Sequence, residues 1–134
     1  MVQNSYDDYK GRANQLLVLA SQQPLKQTRD DAYTTKSQIW SADRLYDQIF
    51  KLNGLSNLQK SSIWKNKIKV FEELTKRETE TDLRLFYFDN MLESANKAIY
   101  FGIDCQEESW TSGLVSRGAS MMEILIKIFR NEDS

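Results

Sequence analysis

The chain has 134 residues, 40% of them hydrophobic and 28% charged, a size and composition that suit one globular domain and exclude a disordered or fibrous protein. Lysine and arginine number 18 against 19 for aspartate and glutamate, a net charge of −1, so no global field draws the protein to nucleic acid or an anionic membrane. Histidine is absent and cysteine occurs once, at Cys105, which removes Ser-His-Asp and Cys-His arrangements, cysteine metal clusters, most zinc sites and any intrachain disulfide.

A single proline, Pro24, and five glycines leave few breaks in the chain, and apolar residues recur at three- and four-residue spacing throughout, which predicts helix. Ser5-x-x-Asp8 opens the first segment in the manner of a capping box, and Tyr6, Tyr9, Ala13, Leu16, Leu17 and Ala20 share one face before Pro24 stops it. The second helix is expected to start at Thr28-x-x-Asp31 and to run to Asn53-Gly54, where the glycine suits a left-handed C-cap. A third follows Leu55-Ser56-Asn57 and reaches about Thr75, with Ile63, Trp64, Ile68, Val70, Phe71 and Leu74 in its apolar arc.

After a polar joint, Lys76-Arg77-Glu78-Thr79-Glu80-Thr81, the fourth helix carries Leu83, Tyr87, Phe88, Met91, Leu92, Ala95, Ala98 and Ile99 to Phe101-Gly102, and Asp104-x-x-Glu107 caps a fifth. The apolar arcs of the fourth and fifth helices span roughly 200°, wider than a surface stripe, so these two are expected to sit deepest with the first two wrapped around them. The fold expected is all-α: an antiparallel bundle of four to five helices in a single domain, 1–134. No run of about 18 apolar residues is available to span a bilayer, and MVQNSYDDYKGR lacks the basic-then-apolar pattern of a signal peptide. The expectation is a protein without membrane insertion, intracellular and cytoplasmic.

Several motifs carry a plainer structural account. Residues 113–120, GLVSRGAS, resemble a phosphate-binding loop, but Ala119 stands where that loop needs lysine, and Trp110, Leu114, Met121, Leu125 and Ile128 keep one helical stripe through both glycines. Paired carboxylates occur at Asp7/Asp8, Asp30/Asp31, Glu72/Glu73 and Glu107/Glu108. All but Glu72/Glu73 fall at expected helix starts, where they complement the positive end of the helix dipole. Arg84 falls inside the apolar arc of the fourth helix and is expected to reach solvent at the end of the bundle. No catalytic residue, metal ligand or cofactor is expected.

Two surfaces remain as candidates. In the second helix Ala32, Ile39, Ala42, Leu45, Tyr46, Ile49 and Phe50 form the core stripe, whereas Tyr33 and Trp40 wind to the opposite face among Lys36, Asp43, Arg44, Asp47 and Lys51. Tyrosine, tryptophan and arginine are the residues enriched at binding hot spots, so Tyr33, Trp40, Arg44 and Lys36 are the expected site for a protein partner, with Arg44 placed to stack on the indole; the other reading is that another helix, such as the first, covers this side and makes Tyr33 and Trp40 core. The alternative is a nucleic-acid face. Residues 57–77 hold Lys60, Lys65, Lys67, Lys69, Lys76 and Arg77 against Glu72 and Glu73, and Lys65, Lys69, Lys76 and Arg77 are its candidate phosphate contacts. A solvated helix face accounts for the same residues, with Lys60 and Lys67 lying along the core and lifting their charge to water. Reversal of Lys65 and Lys69 is expected to leave the fold intact.

Arg44-Leu45-Tyr46-Asp47, followed by a turn and Leu55-Ser56, is similar to the helical domain shared by the steroid receptor RNA activator protein and the C-terminus of the outer COPII coat subunit. The resemblance spans about residues 28–130 by helix order, with Asn57 where proline is expected after Leu-Ser. It implies a non-enzymatic bundle in assembly or adaptor roles, with no catalytic residues.

Overall fold

The structure, a computed structural model, describes residues 2–102, 122–124 and 126. Every regular element among them is helix: α1 (Val2–Ser21), α2 (Arg29–Phe50), α3 (Asn57–Arg77) and α4 (Thr81–Gly102). The expected fifth helix, the GLVSRGAS segment, the Glu107/Glu108 pair and the Trp110 stripe lie outside the described residues, apart from helical 122–124 and 126. No helix among the described residues is long and apolar enough to cross a membrane. The chain divides into two compact units, Met1–Ser56 and Asn57–Ser134.

In the first unit α1 packs against α2. The connection of residues 22–28 can span at most about 25 Å, less than the roughly 30 Å length of a 20-residue helix, so the chain must double back and the pair is antiparallel. Helix α1 starts at Val2, a turn earlier than the Ser5 cap predicts, because nothing before Ser5 interrupts the helix. Tyr6, Ala13, Leu17 and Ala20 form its buried stripe. At α2 the Thr28 side chain accepts the Asp31 amide at 3.2 Å, as the cap motif requires. The helix ends at Phe50, short of the expected left-handed cap at Gly54, with the Lys51 amide donating to the Gln48 carbonyl at 3.2 Å and the Leu52 amide to the Ile49 carbonyl at 2.9 Å. Gly54 adopts φ of 80° in the turn beyond, where a side chain would be strained.

The buried face of α2 is Thr35, Ile39, Ala42, Asp43, Tyr46 and Ile49, while Ala32, Leu45 and Phe50 are only half-buried. Asp43, expected on the polar face, is buried because it winds beside Ile39 and Tyr46. The Tyr46 hydroxyl donates to the Asn14 side-chain carbonyl across the pair at 2.5 Å, so a fully buried phenol keeps its hydrogen bond.

In the second unit α3 and α4 pack side by side, joined so closely that they too must run antiparallel. The Glu78 carboxylate accepts the amides of Thr79 and Glu80 at 3.0 and 3.2 Å and shapes the turn. Near the other end of the pair the buried Ser61 hydroxyl donates to the Ala98 carbonyl at 2.6 Å.

The depth of the two helices reverses the expectation. Helix α3 is buried at every position from Val70 to Thr75, whereas α4 exposes Leu83, Phe86, Leu92, Ile99 and Tyr100. The reason is rotation: the inward face of α4 follows Arg84, Phe88, Met91, Ser94, Ala98 and Gly102, so half of its wide apolar arc turns outward. The same rotation corrects the expectation for Arg84, which is only 3% exposed and does not escape to solvent.

Candidate functional site

The outward face of α2 is produced by the helix that buries Ile39, Ala42, Tyr46 and Ile49. Wound at 100° per residue, Arg29, Tyr33, Lys36, Trp40, Arg44, Asp47 and Lys51 fall on the side opposite that stripe. Tyr33 is 74% exposed. Arg29, Arg44, Asp47 and Lys51 are exposed, whereas Lys36 and Trp40 are half-buried and interact within the chain. The Arg44 guanidinium donates to the Ser41 hydroxyl at 3.2 Å, one turn back along the helix.

Four cations and, with the exposed Asp30 one turn before Tyr33, two carboxylates thus share a face with one open phenol and one partly covered indole. Such a surface can bind through aromatic area and cation contacts, and it contains no nucleophile–base pair. Apart from that face, along α1, an open cavity of about 630 Å³ is bordered among the described residues by Asn14, Gln15, Val18, Leu19 and Gln22. Amides and aliphatics offer contact and hydrogen bonds there, without a titratable side chain among them.

The basic segment on α3 is differently built. Lys69 lies 3.9 Å from Glu72 and 3.4 Å from Glu73, Lys76 lies 3.0 Å from Glu72, and Arg77 Nε lies 3.8 Å from Glu73. Both carboxylates are buried, and the Arg77 side chain is 4% exposed. Glu72 and Glu73, in the interior of α3, are therefore the centre of an internal charge network, whereas Asp7 and Asp8 lie beyond the first turn of α1 and not at the helix start expected for them.

Lys67 corrects the expectation of a stem lifting its charge to water: it is 6% exposed, with its ammonium 5.7 Å from the Trp64 ring centroid. Lys60 sits with its ammonium 5.4 Å from the Phe101 ring centroid. Trp64 is half-buried and Lys65 partly exposed. Thus Lys69, Lys76 and Arg77 are brought together around two carboxylates rather than along an open cationic track, and Lys65 stands apart from that cluster. The signal in the sequence was the i, i+3 and i, i+4 spacing of Lys69, Glu72, Glu73, Lys76 and Arg77; what spacing does not carry is depth.

Comparison with known proteins adds no second line of inference. No family model, curated protein or solved structure matches the chain.

Proposed function

We propose that the chain is a non-enzymatic protein–protein interaction domain of the cell interior, serving as an adaptor, coat or assembly subunit or as an inhibitor- or immunity-type binder. Its partner is another protein, held on Tyr33, Lys36, Trp40 and Arg44 of α2. The observation that supports this most is Tyr33: a phenol 74% exposed, with Arg29, Asp30 and Lys36 within one turn of it and the Trp40 indole two turns along the same face. Large amphipathic rings beside arginine are what binding hot spots are made of, because they bury much area while fixing few rotors. The resemblance to coat and adaptor helical domains implies the same class.

Affinity capture with the intact chain from its source cells, followed by mass spectrometry, identifies the partner. Tyr33→Ala should then weaken that binding by about 2 kcal/mol, or roughly thirtyfold, without lowering the melting temperature, since the ring leaves little contact behind. Unchanged affinity would remove this face from consideration. A nucleic-acid-binding bundle using Lys65, Lys69, Lys76 and Arg77 is the lesser alternative, because Glu72 and Glu73 already neutralise much of that charge.

A further inference from the structure

Helix α4 turns a second aromatic stripe to solvent. Asp82, Phe86, Asp89, Glu93 and Tyr100 share one side at helical spacing and all are exposed, with Lys97 at its edge. Its charge is opposite to that of α2, where Arg29, Lys36, Arg44 and Lys51 outnumber Asp30 and Asp47. Tyr33 at 74% and Tyr100 at 71% are the two most exposed large apolar side chains among the described residues, one on each stripe. The Tyr100 ring is held edge-on by Phe101, with centroids 5.0 Å apart.

We propose that the basic aromatic stripe of α2 docks on the acidic aromatic stripe of α4 from a second copy of this chain. The proposal rests on α2 being the binding face and names what that face binds. An antiparallel run sets Lys51 against Asp82, Arg44 against Asp89 and Tyr33 against Tyr100, with Trp40 level with Glu93. Only Lys36 and Lys97 meet as like charges. Antiparallel helices also place opposite dipole ends together. Because the two surfaces differ, the contact is head-to-tail: a docked pair keeps one face of each kind unused, the α4 face of one copy and the α2 face of the other, and association continues into a ring or an open chain.

Charge complementarity across exposed faces is screened by salt, so sedimentation velocity of the full chain should show a mass that grows with concentration at low ionic strength and falls toward the monomer at high. Arg44→Glu with Lys51→Glu, and separately Asp82→Lys with Asp89→Lys, should each weaken association at least tenfold while leaving the circular dichroism spectrum unchanged, as these side chains are exposed. An equimolar mixture of the two double variants should associate again, since each reversed face then meets its reversed complement and each native face its native one.

A chain that is monomeric at every concentration and salt, or a mixture that fails to recover, overturns the self-docking. Either outcome leaves the α2 face itself to the Tyr33→Ala capture experiment. Association lost in the α4 variant but kept in the α2 variant overturns this pairing and counts against α2 as the binding face.

Discussion

Tyr46 shows how one residue joins sequence pattern, burial and chemistry. Its place in the apolar stripe of α2 sends the ring inward, and its hydroxyl finds Asn14 on α1. Burial first, and then the negative charge of Asp43, raise the phenol above its ordinary value of 10.0. The stabilisation linked to this shift is fully present below pH 10, where both states hold the proton. It is lost as pH rises further, because the unfolded tyrosine ionises while the folded one cannot follow. Tyr46→Phe should cost about 1 kcal/mol at neutral pH through the lost hydrogen bond. The gap to wild type in urea unfolding should then narrow by roughly 1 kcal/mol by pH 11. A gap that stays constant from pH 8 to 11 would show that the phenol is not held in its neutral form by the fold.

At the scale of elements, the α3 charge network separates buried from exposed ion pairs. Glu73 is buried beside an Arg77 side chain that is itself 4% exposed, so Glu73→Ala leaves a buried cation without this carboxylate and should cost about 3–5 kcal/mol. Lys76→Ala removes the shorter contact, 3.0 Å, but at a side chain 38% exposed, and should cost under about 1 kcal/mol. Similar losses in chemical denaturation would mean that depth does not govern the network. For the same reason Lys69→Glu, which places a third carboxylate against Glu72 and Glu73, should destabilise the fold by about 1 kcal/mol or more, contrary to the expectation that it is silent.

The helices themselves were legible: capping at Thr28, the glycine after α2 and the polar joint before α4 are local signals, and the structure places turns at each. The buried faces of α1 and α2 followed from periodicity, Tyr6 to Ala20 and Ile39 to Ile49. What periodicity could not fix was the rotation of α4, because an apolar arc of about 200° has no unique inward direction. Arg84 was rightly placed within that arc but was expected to reach solvent from the first turn, and the exposed stripe of Phe86 and Tyr100 was not singled out, since no asymmetry in the α4 pattern marks it. Tyr33 was legible because it broke a narrow stripe instead of belonging to a wide one.

For the whole molecule, the net charge of −1 and the internal pairing of the α3 cations bear on the same question, whether polyanions are natural ligands. Non-specific polynucleotide binding at physiological salt falls at about 10⁻⁴–10⁻⁶ M for proteins that neutralise several phosphates, and each such contact steepens the salt dependence. Here Lys69, Lys76 and Arg77 would have to leave Glu72 and Glu73, and two buried carboxylates would lose their partners in the exchange. Single-stranded and duplex oligonucleotides titrated against the intact chain at 0.15 M salt should therefore bind more weakly than about 10⁻⁴ M in fluorescence anisotropy. The few contacts that form should involve the exposed cations of α2, so that Arg44→Glu with Lys51→Glu abolishes residual binding and Lys65→Glu does not. Micromolar affinity with a steep salt slope, lost on Lys65→Glu with the fold intact, would instead make α3 a nucleic-acid face and displace the protein-binding assignment.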